Sequence, residues 1–272
     1  MKLFNKTLQV LFFYLVVELI TGCYKVPVSG RSQFKLLPEA TLSNFASSTY
    51  RDMMRQNPVI PQGGNNQLVN SVYRVGQRMF PAVNDYLRRT GHNKRLRNIR
   101  WELNVIDRNV VNAWCMPGGK IAFYTGILSV CQNEAGIAAV MGHEMAHAIA
   151  HHGNERMSQQ LAIVTGVGSL AVAMRDRPNE TRNLLLAAAG LGAEVGIALP
   201  FSRRHETEAD QMGLIFMALA GYDPNEAIGF WQRMAQQGSG RMPEFLSTHP
   251  APSTRVQNLR SFMPKALKYY RP

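Results

Sequence analysis

The sequence predicts an α+β domain, mostly helical, with one small mixed sheet placed ahead of a long helical run. Three observations carry this. Apolar and polar residues alternate over Trp101–Ile106, the two-residue period of a half-buried strand. Two apolar stretches flank Met116-Pro117-Gly118-Gly119, which reads as strand, turn, strand. From Glu134 onward the apolar pattern is helical and continues to the C-terminus.

The N-terminal part comes first. Residues 24–38 hold Pro27, Gly30 and Pro38 and read as an extended tether. Glu39–Asn57 reads as a helix stopped by Pro58, and Pro61–Asn66 as a loop. Gln67–Thr90 places Val69, Val72, Val75 and Met79 on one helical face, with Pro81 as a possible kink. The strands are Trp101–Ile106, Val110–Cys115 and Lys120–Thr125. Helices are expected at Glu134–His152, Arg156–Met174, Asn183–Leu199, His205–Gly221, Pro224–Gln236 and Ser253–Met263. The helices over 156–174 and 183–199 read as buried beside the site rather than as membrane spans.

The 272 residues contain 46% hydrophobic and 18% charged residues, which excludes a disordered or fibrous chain. Three cysteines exclude a disulfide scaffold and a four-cysteine zinc ribbon; a Cys115–Cys131 disulfide stays open. The formal charge is +12. Arg88, Arg89, Lys94, Arg95, Arg97 and Arg100 form a basic cluster without interleaved aromatics, so a solvated or lipid-facing surface is preferred and no nucleic-acid partner is expected. At the N-terminus, Lys2 and Lys6 precede the apolar run Leu8–Ile20, and Ile20-Thr21-Gly22-Cys23 resembles a bacterial lipobox. The expected organisation is a signal peptide over 1–22, a tether over 23–38 with lipidation at Cys23, and a catalytic domain over 39–272. Tyr24 after the cysteine favours the outer membrane, giving a lipid-anchored, periplasm-facing location.

His143-Glu144-Met145-Ala146-His147 is an H-E-x-x-H motif on a predicted helix. Residues four apart share a face, so His143 and His147 can reach one ion, with Glu144 beside it to take a proton from water. His151 lies too far along a straight helix to join them, and His151 and His152 are expected as supporting or surface residues. In Glu206-Thr207-Glu208-Ala209-Asp210, Glu206 and Asp210 share a helical face while Glu208 points away. Glu206 then supplies the third ligand and Asp210 holds the far nitrogen of a ligand histidine. Glu208 is expected to be solvated or paired with an arginine. Two His, one Glu and water make an open, catalytic zinc site, one ion per chain.

These motifs, together with Ser247-Thr248-His249-Pro250 and Arg255 downstream, resemble the gluzincin metallopeptidase family of HtpX, the CAAX prenyl protease, BepA, LoiP and the mitochondrial Oma peptidase. Asn112-Ala113, Pro117-Gly118-Gly119, Thr125-Gly126-Ile127-Leu128 and the lipoprotein-like Val26-Pro27-Val28-Ser29-Gly30-Arg31 add to the match. The resemblance implies a substrate-binding edge strand lining the cleft at Lys120, Ile121, Ala122, Phe123 and Tyr124. It further implies that His249 approaches the metal, stabilising an oxyanion or capping the site, and that Arg255 positions that region. The expected activity is a zinc endopeptidase acting on unfolded or misassembled polypeptides of the bacterial cell envelope, with envelope assembly machinery as a candidate partner. The alternative is a chaperone or assembly factor with a capped, largely latent zinc site.

Overall fold

A computed structural model describes residues 24–159, 199–237, 243, 245–246, 249 and 254–272. The signal segment, Cys23, most of the helices expected over 156–174 and 183–199, and Ser247, Thr248 and Pro250 lie outside the described residues. Among the described residues the helices are α1 (Glu39–Gln56), α2 (Gln67–Arg89), α3 (Thr125–Cys131), α4 (Glu134–Ala150), α5 (Leu199–Leu219), α6 (Glu226–Gln236) and α7 (Arg255–Ala266). Residues 152–159 are also helical. A short hairpin, β1 (Tyr24–Lys25) and β2 (Ser32–Gln33), precedes them. The main sheet contains β3 (Val59–Ile60), β4 (Glu102–Ile106), β5 (Ala113–Met116) and β6 (Lys120–Tyr124), in the order β3-β4-β6-β5. No helix among the described residues is long and apolar enough to cross a membrane. The α+β class and the small mixed sheet are as expected.

β4 and β6 run parallel, with Val105 opposite Phe123, while β5 and β6 form an antiparallel hairpin with Cys115 opposite Ile121. Gly118 and Gly119 close that hairpin at φ 87° and 81°, a left-handed region that glycine enters without a Cβ penalty. The strands sort their side chains by the two-residue period. Ala122 and Tyr124 join Tyr50 of α1, Trp114 and Met116 on one face, where Tyr50 Oη donates to the Ile121 carbonyl at 2.8 Å. Ile121, Phe123 and Ala113 face the main core, with α2, α4 and α5.

This register corrects the expected substrate strand. Lys120, Ile121, Ala122, Phe123 and Tyr124 form β6, paired on both sides by β4 and β5 and buried along its length. Among the described residues the outer strand on that side is β5, before the Pro117-Gly118-Gly119 turn rather than after it. The parallel partner β4 comes from earlier in the chain and occupies the edge of β6 that a local strand–turn–strand reading leaves open.

A second correction concerns residues 24–38. Instead of an extended tether, they begin with the docked β1–β2 hairpin, in which Val26 is fully buried and Gln33 nearly so. The partners that hold it lie far away in sequence: Gln33 Nε2 donates to Glu155, and Arg95 donates to the Lys25 carbonyl. Both Cys115 and Cys131 are free thiols.

α4 is buried almost all round, and Asn133 caps its start by accepting from the Gly136 N–H at 2.8 Å. It ends at His151, which adopts φ 57° and ψ 35°, so the helix stops two residues earlier than expected. Its main partner is α5, and the two backbones touch. A Cβ on Gly142 would come within 2.8 Å of the Gly213 carbonyl oxygen, and one on Gly213 within 2.9 Å of the His143 nitrogen. Only hydrogen fits in either place.

Gly213→Val should therefore push α5 off α4, destabilising the fold by about 1–3 kcal/mol in denaturant titrations and weakening zinc binding. Gly64→Ala, whose Cβ would meet nothing closer than 3.9 Å, should leave both unchanged.

Candidate metal centre

The α4–α5 contact sets the distance between two short motifs. His143 and His147 lie one turn apart on α4, and Glu206 and Asp210 lie one turn apart on the facing side of α5. His249 comes from the segment after α6 and is fixed by its N–H donating to the Phe245 carbonyl at 2.9 Å. The ring of Phe245 stacks on that of His249 with centroids 4.7 Å apart.

His143, His147, Glu206 and His249 bring one donor atom each within 4.8 Å of one another. His143 Nε2 lies 3.1 Å from His147 Nε2 and 3.3 Å from His249 Nδ1. The Glu206 carboxylate lies 3.3 Å from both His143 Nε2 and His147 Nε2, and 3.2 Å from His249 Nδ1. Four donors at 2.0–2.1 Å from a tetrahedral ion are spaced about 3.3 Å apart. The side chains thus fit a small divalent cation with nitrogen and carboxylate ligands. Without a cation, burial lowers the His143 pKa but Asp210 and Glu206 outweigh it, so the pKa is pushed up to about 9 and the ring is held protonated; a bound cation would take that proton's place between the imidazoles and the carboxylate.

The far side of each group is also specified. His143 Nδ1–H donates to Asp210 Oδ1 at 2.9 Å, leaving Nε2 to face the cluster. Arg255 donates from Nε to Asp210 Oδ2 at 2.7 Å, and from Nη2 to Asp210 Oδ1 at 2.9 Å and Glu206 Oε2 at 3.0 Å. Its guanidinium lies 3.4 Å over the Trp231 ring, a stacking that suits a planar cation. Burial raises the Glu206 carboxyl, but the surrounding His147, His143 and His249 outweigh this and hold it well below the usual carboxylate range. Burial pushes the His147 imidazole well below its ordinary value, against the pull of Glu206.

Glu144 stands beside this cluster, buried, with Oε1 lacking a hydrogen-bond partner and 3.5 Å from His249 Nε2. Burial raises its carboxyl above the usual value, and the backbone of Cys115, on the β5 edge, hydrogen-bonds to it in opposition. A proton-accepting atom left open in a dry site has nothing structural to do; it is placed to meet a small polar molecule.

Sequence reasoning placed His143, Glu144, His147, Glu206, Asp210, His249 and Arg255 together, and the structure brings all seven to one site. Two further residues join them. His152 Nδ1 lies 3.0 Å from His147 Nδ1, and His152 Nε2 lies 3.1 Å from Glu208 Oε2. Glu208 is buried rather than solvated and pairs with Arg31. Its direction on α5 was legible, pointing away from Glu206. Pairing with an arginine was one of the two expected environments of Glu208, and a supporting role one of the two expected for His152; the left-handed His151 precedes the turn that brings His152 to His147.

The sequence profile described as Peptidase family M48 matches residues 78–263. The chain is 33% identical over 250 residues to the mitochondrial metalloendopeptidase OMA1 of Schizosaccharomyces pombe, covering 89% of this chain and 66% of that protein. It is 32% identical to the Saccharomyces cerevisiae protein of the same name, covering 96% of this chain and 73% of the relative. It is also 29% identical over 162 residues to the beta-barrel assembly-enhancing protease of Yersinia pestis, covering 58% of this chain and 33% of that protein. The chain spans about half the length, 47%, of the human mitochondrial relative. These similarities correct the expected location: the relatives that match across most of the chain carry mitochondrial names, against a periplasm-facing, outer-membrane location. With a matched segment that contains the metal-binding group, the β5–β6 hairpin and the α4–α5 pair, the chain belongs to Peptidase family M48.

Proposed function

We propose that the chain is a zinc-dependent endopeptidase that cleaves unfolded or misassembled polypeptides as a form of protein quality control. The observation that carries the reading is the convergence of four donor atoms next to the unpartnered Oε1 of Glu144. His143, His147 and Glu206 hold the zinc, and Asp210 and Arg255 fix their orientation. Zinc bound there supplies Lewis acidity, acidifying water and polarising a carbonyl. Glu144 accepts the proton from the attacking water at Oε1 and returns it to the leaving amine. Its raised pKa, from burial, suits a base that must also act as an acid.

The edge of β5, the outer strand among the described residues, supplies the grip on substrate. An extended peptide laid along Ala113–Met116 continues the sheet through main-chain hydrogen bonds, which read no side chains and suit any unfolded sequence. The contact between the Cys115 backbone and Glu144 puts that edge beside the proton acceptor. The assembly-enhancing protease named among the relatives fits the same substrate class.

A second reading rests on His249. Its Nδ1 sits in the donor cluster, where it takes the fourth position that substrate and water need. The form described is then a capped, latent one, and His249 must withdraw for turnover. The lipobox ending at Cys23 further suggests a lipid tether, independent of which membrane it meets.

Glu144→Gln should abolish casein cleavage by the zinc-loaded protein while one zinc per chain remains bound; equal cleavage would sink the mechanism. His249→Ala should raise casein cleavage and weaken zinc binding in chelator competition; unchanged zinc affinity would remove His249 from the site. Palmitate labelling should be lost in Cys23→Ser, and undiminished labelling would refute the tether.

A further inference from the structure

The far nitrogen of His147 begins a chain of hydrogen bonds whose direction is forced. If Nε2 turns its lone pair to the metal, Nδ1 carries the proton. Nδ1–H then donates to His152 Nδ1 at 3.0 Å, so His152 holds its own proton on Nε2 and donates it to Glu208 Oε2 at 3.1 Å. Glu208 is held in turn by Arg31 of the N-terminal hairpin, 177 residues away in sequence. Arg31 donates Nε to Glu208 Oε1 at 2.7 Å and Nη2 to Oε2 at 2.9 Å. The other side of the same guanidinium donates Nη1 and Nη2 to the two oxygens of Glu155 at 2.6 and 2.7 Å. Five rigid donors in a plane allow one side chain to fork onto two carboxylates; a lysine ammonium cannot.

The hairpin is shaped for this contact. Ser29 Oγ donates to Glu208 Oε1 at 2.8 Å. Val28 between the strands adopts φ 68°, a left-handed conformation that costs a β-branched residue energy and persists only where its surroundings enforce it. Gln33 adds Nε2–H to Glu155 Oε2 at 2.9 Å, and His205 lies 3.0 Å from the same oxygen. Glu155 and Glu208 are nearly inaccessible, so their charges depend on Arg31.

We propose that Arg31 is a positioning residue for the metal centre, setting the tautomer and orientation of the ligand His147 through Glu208 and His152. The N-terminal hairpin is thereby part of the metal site, although it lies outside the segment matched by the family profile, residues 78–263. A merely structural Arg31 would pin the hairpin to Glu155 and Glu208 without any influence on His147.

The inference rests on the metal-site reading, so wild-type zinc stoichiometry is the control: without one zinc per chain, that reading itself fails. On the full chain, Arg31→Lys keeps the charge and loses the double fork. It should weaken zinc binding in chelator competition about tenfold, as loss of an orienting partner does, and shift the visible bands of the cobalt(II) form. In a His152→Ala background the same change should add less than about twofold, because the link is already cut. An unchanged zinc affinity and cobalt spectrum in Arg31→Lys, or an undiminished loss in the His152→Ala background, would overturn the proposal. Should Arg31→Lys fail to fold, Glu208→Gln interrupts the same chain in its place, with the same expected loss and the same refuting result.

Discussion

The backbones of α4 and α5 touch at Gly142 and Gly213, and the rest of the centre depends on that contact. Typical helix pairs sit 8–10 Å apart because side chains separate them; two facing glycines remove the separators. Gly142 is adjacent to His143. Gly213 lies two turns from Glu206 and one from Asp210, so the short carboxylate arms of α5 reach imidazoles rooted on α4. A carboxylate held even 1 Å further out would miss the ion that the two histidines face. Residues too small to contribute hydrophobic energy therefore decide whether the chemistry assembles.

The close approach has an electrostatic consequence. It buries Glu206, Asp210, Glu144 and Arg255 where charges are expensive. The arrangement offsets this by giving almost every one a partner of opposite character. Arg255 spans Glu206 and Asp210, and Asp210 passes the interaction to His143. On the other side, Arg31 spans Glu155 and Glu208, and Glu208 passes it to His152 and so to His147. Each α4 histidine thus rests on a carboxylate that an arginine holds, directly for His143 and through one more imidazole for His147. Glu144 Oε1 breaks the pattern by remaining unpartnered, and it is the atom the reaction needs free.

Features with a local period were legible in the sequence. Four-residue spacing placed His143 with His147 and Glu206 with Asp210 on helical faces, and the strand alternation and glycine turn located β4, β5 and β6 within a few residues. Features that depend on distant partners were not legible. Strand β6 read as an edge because β4 covers its open side from earlier in the chain. Residues 24–33 read as a tether because the carboxylates that hold Arg31 lie 124 and 177 residues away. His152 was expected as a supporting or a surface residue; the left-handed His151, which no helical pattern announces, precedes it as it meets His147. No helix was expected over α3 because its seven residues are too few to display a period. The location was misread because it rested on one residue, Tyr24 after the lipobox cysteine, and the mitochondrial names of relatives aligned along most of the chain outweigh it.

Contact between α4 and α5 sets three of the four donors, His143, His147 and Glu206, and His249 from the segment after α6 adds the fourth. X-ray absorption at the zinc edge of the purified full chain tests this arrangement most directly. In the capped form, with His249 in place, one zinc per chain is expected with three imidazole nitrogens and one oxygen at about 2.0–2.1 Å. A sulfur shell near about 2.3 Å, which would bring in Cys115, or zinc bound without the multiple-scattering signature of histidine, would contradict it.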